Sequence, residues 1–68
     1  RSVWGTDTYT DDSYICRAAQ HAGRIDRTKG GKVTIELLPG RSSYTGSSRN
    51  GVSSSDFGSW GGSYRFAR

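Results

Sequence analysis

Cys16 and His21 carry the most reactive side chains of this 68-residue chain, and their spacing limits what they can do. A thiol–imidazole pair makes a nucleophile only when the two groups meet and a third group orients the imidazole. Five positions apart on a helix, the two do not share a face well. Nor do two ligands complete a zinc site, which takes four. The expected roles are structural: Cys16 as a small buried hydrophobe, and His21 as an imidazole bonded to a strand carbonyl or loop. Cys16 is the only cysteine, so no disulfide closes within these residues. A bond to a segment outside the chain, or to another molecule, stays open.

Asp7, Asp11 and Asp12 supply oxygen ligands of the kind calcium takes, but not at the D-x-D-x-D loop spacing. Capping and turn formation are the plainer roles: Asp11 and Asp12 as helix N-caps, Asp7 in an Asx-turn. Ten basic residues face six acidic ones, a net charge of +4 that favours anionic partners. Arg24, Arg27, Lys29 and Lys32 cluster after the helix, and Arg41 and Arg49 lie in later loops. Arginine forks suit phosphate and acidic sugar. The basic residues are otherwise scattered, as on an ordinary solvated surface. There is no basic helix and no aromatic pair on adjacent strands of the kind that binds RNA, so specific nucleic-acid binding is not expected. Trp4 and Trp60 are either core or a sugar-stacking platform. Trp60, among glycines and serines, is the one expected to be exposed. No motif asks for a cofactor.

The elements that must position these groups begin with a helix, expected from about Asp12 to Ala22. Ile15, Ala18, Ala19 and Ala22 form one apolar face, and Gly23 sits where a left-handed stop is wanted. An alanine face buries little area, so this helix needs other backbone to approach closely. Only 31% of residues are hydrophobic, so aromatics must supply much of the core. The expected contributors are Trp4, Tyr9, Tyr14, Tyr44, Phe57, Trp60, Tyr64 and Phe66. Ser2–Trp4 reads as a short strand ending at Gly5. Ile25 should fold back onto the core, ahead of a charged turn over Asp26–Gly31. In Lys32–Leu38, Val33, Ile35 and Leu37 alternate inward, and Pro39-Gly40 ends the strand. Ser42–Thr45 carries Tyr44 inward, Asn50-Gly51 is a turn, and Val52–Ser55 pairs after it. Asp56–Gly62 is a loop. Ser63–Ala67 puts Tyr64 and Phe66 on one face, Ser63 and Arg65 on the other. The reading is one domain over residues 1–68, of α+β class, with a single central helix wrapped by short antiparallel strands. No apolar run reaches transmembrane length. The chain opens on strand-like residues, as expected of an excised domain or a processed subunit.

Val3-Trp4-Gly5, Tyr9 and the run Ser13-x-Ile15-Cys16-x-Ala18-Ala19-x-His21-Ala22-Gly23-x-Ile25 resemble the LCCL domain signature. Gly30-Gly31-x-Val33, Pro39-Gly40-Arg41-Ser42-Ser43-Tyr44, Gly46-Ser47, Asn50-Gly51-Val52 and Ser63-Tyr64-Arg65-Phe66 continue it across nearly the whole chain. The Thr6–Asp12 approach looks more like bacterial members. The resemblance implies a secreted or extracellular module of larger proteins, with a central helix wrapped by strands and no established catalytic residues. It also implies association with host defence, lipopolysaccharide binding and matrix assembly. Animal members carry further cysteines upstream that staple the helix cysteine, and this chain has none.

The expectation is a non-enzymatic recognition or adhesion module for anionic or glycan surfaces, such as lipopolysaccharide or acidic polysaccharide. Its partners would be such a surface, other domains of a larger secreted protein, or copies of itself. Arg24, Arg27, Lys29, Arg41, Arg49 and Trp60 are the candidate ligand residues. Cys16, Ala19, His21 and Gly23 are structural. The alternative is a structural subunit of an extracellular filament or coat that assembles through strand edges.

Overall fold

The computed structural model describes residues 2–26, 28 and 30–67. Six short strands and one helix follow in the order β1 (Gly5–Thr6), β2 (Thr8–Thr10), α1 (Ile15–His21), β3 (Ile35–Arg41), β4 (Ser48–Arg49), β5 (Val52–Ser53) and β6 (Trp60–Phe66). β1, β2, β6 and β3 form an antiparallel sheet in that spatial order. β4 and β5 form a separate hairpin. The class is α+β, as the sequence reading expects.

The helix is thin for the reason the sequence suggests. Ala18 and Ala19 are fully buried and pack with Tyr9, Tyr64 and Phe66 of the sheet and Val52 of the hairpin. Sheet and hairpin thus enclose the helix from different sides. Its C-terminus closes as expected. Gly23 has φ +77°, the Gly23 amide donates to the Gln20 carbonyl, and the Arg24 amide donates to that of Ala19. These two bonds are the Schellman pattern. At the turn of the hairpin, Asn50 (φ 53°) and Gly51 (φ 80°) are both left-handed, the type I′ geometry that matches strand twist. Ile25 folds back and is half-buried against the core.

The N-terminal half of the helix departs from expectation. It starts at Ile15, its N-cap is Tyr14, and no side chain caps it. Asp11 and Asp12 lie in the preceding turn instead. That turn is fixed by the Ser13 amide on the Thr10 carbonyl and by the Tyr14 amide on the Ser2 carbonyl. With the helix shortened, Ile15 falls outside the enclosed stretch and is 41% exposed. Cys16, expected to be buried, is exposed for the same reason.

Two strand expectations also change. β3 starts later than Lys32 and runs through Pro39 and Gly40 to Arg41. It is an edge strand, where proline's missing N–H costs no ladder bond on the open side. Leu37 pairs with buried Tyr64 yet is 75% exposed, because among the described residues nothing covers its side chain at that edge of the sheet. Val33 and Ile35, nearer the helix, do pack against the core. At the start of the chain, Trp4 makes only a bridge to Ser55, and the first strand is Gly5–Thr6.

Of the eight aromatics, Tyr9, Tyr44, Tyr64 and Phe66 are buried, whereas Tyr14, Phe57 and Trp60 are exposed and Trp4 is half-buried. The Tyr64 hydroxyl donates to the Ser13 carbonyl. Burial raises the pKa of both Tyr9 and Tyr64 above the ordinary 10.0. Folding therefore favours their protonated forms. That stability is fully present below about pH 10, the unfolded value, and is lost as pH rises towards the folded values. The melting temperature should fall steeply above that pH. Tyrosinate absorbance should show two phenols ionising only as the fold melts. Smooth ionisation of all tyrosines in a still-folded chain would contradict this core.

Candidate functional site: a charged cleft and an aromatic end of the sheet

The helix stop directs Arg24 to the end of β6. Its guanidinium donates to the carbonyls of Phe66 (3.3 Å) and Ala67 (3.4 Å). These two bonds hold the fork at the wall of an open cleft of about 410 Å³, whose charged lining is Asp7, Arg24, Glu36 and Arg65. A smaller hollow of about 220 Å³ lies on the other side of Arg24 and brings in Lys32. The two carboxylates of the cleft are already matched. Glu36 accepts from Arg65 at 2.8 Å, across the β3–β6 pair, and Asp7 accepts from Arg49 at 3.0 Å. Both pairs are exposed and contribute little stability. Arg24, among the described residues, bonds to backbone carbonyls and makes no ion pair, so its charge has no carboxylate at contact distance.

The opposite end of the sheet is aromatic. Trp4, Phe57 and Trp60 form an edge-to-face chain, with centroids 6.0 and 5.6 Å apart and interplanar angles of 65° and 79°. The Trp60 indole Nε1–H donates to Asp11 Oδ1 at 2.7 Å. The Asp11 amide donates to the Gly62 carbonyl, which ties the turn before the helix to β6. Arg41 pairs in register with Trp60, and its guanidinium lies 6.0 Å from the Tyr44 ring centre.

The expected site residues thus divide. Arg24 lines both the cleft and the smaller hollow, where it meets Lys32, and Arg49 reaches the cleft through Asp7. Arg41 and Trp60 lie at the far end of the same two strands. Arg27 and Lys29 lie outside the described residues. The three aspartates do not gather: Asp7 pairs with Arg49 and Asp11 with Trp60, and among the described residues no three metal-ligating side chains cluster. Arg65 and Glu36 were not singled out from the sequence. Their only signal was opposite charge at polar positions of two strands, and the register needed to pair them was not known.

His21 is fully buried between elements. Its Nε2 lies 3.0 Å from the Ser47 carbonyl and its Nδ1 lies 2.9 Å from the Tyr9 hydroxyl. A carbonyl only accepts, so Nε2 carries the proton and Nδ1 accepts from Tyr9. The His21 carbonyl accepts from Asn50, and Gln20 donates to the Asn50 carbonyl. The motif residues Ala18, Ala19, His21, Gly23 and Asn50 therefore form one joint between helix, sheet and hairpin.

The family described as the LCCL domain matches residues 1–64, which include that joint and the aromatic end, and the cleft lining except Arg65, Phe66 and Ala67. The chain belongs to the LCCL domain family. Human cysteine-rich secretory protein LCCL domain-containing 2 is 45% identical over 56 residues, covering 82% of this chain and 11% of that protein. Human cochlin is 40% identical over 63 residues, 93% of this chain and 11% of cochlin. Clotting factor C of Tachypleus tridentatus is 40% identical over 65 residues, 96% of this chain and 6% of that protein. The chain thus spans only a small part of the length of these relatives. Among the described residues no helix is long and apolar enough to cross a membrane. In this LCCL chain the signature around α1 is mostly a packing motif: Ser13, Ala18, Ala19 and His21 are consumed in burial and in hydrogen bonds within the fold, whereas Ile15 and Cys16 are exposed.

Proposed function

We propose that this LCCL domain is a non-enzymatic, extracellular recognition module that binds anionic groups of a surface glycan or lipid through the cleft around Arg24. The observation that carries the reading is the Arg24 guanidinium, held by two carbonyls at an open cleft whose carboxylates are both neutralised by other arginines. A fork held this way loses little side-chain entropy when an anion binds. Lys32 adds a second positive charge next to it. Binding by one small domain is weak, and copies in tandem raise avidity.

The test is binding of the chain to lipopolysaccharide and to an acidic polysaccharide at several salt concentrations. Affinity should fall as salt rises, and Arg24→Glu should weaken it by roughly tenfold or more. Arg41→Glu, at the far end of the sheet, should do much less. Equal losses from Arg24→Glu and Arg41→Glu would mean diffuse surface charge and no cleft site.

A second reading, a structural subunit that assembles through strand edges, draws on β3. It is an unpaired edge strand of seven residues with Leu37 three-quarters exposed. It requires large particles in light scattering, dispersed by Leu37→Lys, and little salt-dependent ligand binding.

A further inference from the structure

Trp60 is exposed and fixed at once, an unusual combination for a tryptophan in a glycine- and serine-rich segment. Its indole is locked along one edge by the bond to Asp11 Oδ1 and braced by the edge-to-face contact with Phe57. Over a third of its surface stays open. The lock is built into the chain at Gly62, where a methyl group would overlap the Asp11 carboxylate. Asp11 Oδ2 makes no hydrogen bond among the described residues. Asp56, which accepts from the Gly46 amide at 2.7 Å, places a second carboxylate next to Phe57 in the chain.

We infer that this end of the sheet is a stacking site for a neutral pyranose, with Trp60 as the platform and Asp11 as the hydroxyl acceptor. The C–H face of a sugar ring is apolar and weakly positive, and it complements the negative face of an indole. Ring hydroxyls at the rim donate to a carboxylate, a charge-assisted bond stronger than a neutral one. The ring is already held, so binding does not freeze a mobile side chain. The Asp11 carboxylate on the indole edge disfavours the other occupants an exposed tryptophan suggests. It repels an anionic group at that edge, and its burial in a bilayer is costly. The site lies roughly 20 Å along β6 from the Arg24 cleft, at about 3.3 Å per residue. It extends the recognition role proposed above, and it uses a different end of the molecule and a different chemistry.

The two tryptophans of the chain give two indole N–H signals in a ¹H–¹⁵N spectrum. Titration of the unmodified chain with neutral oligosaccharides of glucose, mannose and N-acetylglucosamine should shift the Trp60 indole signal, at high salt as at low. Inorganic phosphate should shift Arg24 signals and leave that of Trp60 in place. Trp60→Ala should weaken sugar binding by roughly tenfold, whereas Trp60→Phe, which keeps an aromatic face, should lose less. Arg24→Glu should leave sugar binding unchanged, so failure of the anion cleft and failure of the stacking site read out separately. If no neutral sugar moves the Trp60 signal, the inference is overturned, whether or not phosphate binds. It is equally overturned if phosphatidylcholine vesicles move that signal and sugars do not, since the aromatics would then be a lipid anchor.

Discussion

Replacing His21 with leucine is expected to destabilise the chain by about 1–3 kcal/mol and to lower its melting temperature clearly. Leucine fills a similar space, so the loss is one of hydrogen bonding and not of volume. The fully buried Tyr9 hydroxyl loses its acceptor, whereas the Ser47 carbonyl keeps the Ser54 amide (2.8 Å) and hydroxyl (3.2 Å) as donors. One orphaned buried group costs about 1–3 kcal/mol. That is a large share of the roughly 3–5 kcal/mol that a core of this size supplies. A double-mutant cycle isolates the cause. Tyr9→Phe alone should destabilise, because it removes the donor to Nδ1. In the His21→Leu background it should be neutral or slightly restoring, because it removes an orphaned hydroxyl. Circular-dichroism melts of the four proteins measure this. Strictly additive losses would show that the two side chains are not coupled.

Gly5→Ala is expected to cost at least as much, although it adds a single methyl group. Gly5 has φ +107° at the start of β1, in register with Tyr9. An alanine there takes a left-handed conformation at about 1–3 kcal/mol. Its methyl also runs into the Thr8 carbonyl across the β1–β2 turn, a backbone atom that cannot swing away. Overpacking of this kind adds about 1–3 kcal/mol. The Gly5 amide donates to the Ser55 carbonyl at 3.1 Å, so a shift of β1 to relieve the clash would also loosen the segment leading to Phe57. Gly58→Ala is the matched control. Nothing lies within 4 Å of a methyl group there and its φ is ordinary, so its effect should stay within about 0.5 kcal/mol. Denaturant midpoints compare the two. Similar midpoints for Gly5→Ala and Gly58→Ala would disprove the tight β1–β2 turn.

These two residues differ in how they could be read. His21 was legible as a bonded imidazole, because a semi-buried histidine usually satisfies its ring nitrogens with a carbonyl or loop group. The identity of its partners was not, since Tyr9 and Ser47 come from segments whose arrangement no local signal encodes. Gly5 was legible only as the end of a strand. The need for glycine comes from the approach of Thr8, which depends on how tightly β1 and β2 turn.

The same division runs through the candidate site. The basic cluster after the helix was visible as charge, yet Arg24 gains its fixed orientation from Phe66 and Ala67, more than forty positions away. Arg65, expected simply on the polar face of β6, enters the cleft because β6 pairs with β3. Asp11 looked like a helix cap because capping is a local preference. A longer-range bond to the Trp60 indole, 49 positions on, holds it instead.

What the sequence determined by itself was conformation that a few neighbouring residues fix. This covers the helix stop at Gly23, the type I′ turn at Asn50-Gly51, the alanine face that demands close enclosure, and a motif specific enough to mark the family. These follow from allowed dihedral angles and side-chain bulk, which act within a few residues. The tertiary structure alone decided exposure and pairing. It left Cys16, Ile15 and Leu37 in solvent, carried β3 through Pro39, and matched each cleft carboxylate to an arginine. Those outcomes depend on which element covers which face, and coverage is set by the packing of segments far apart in the chain.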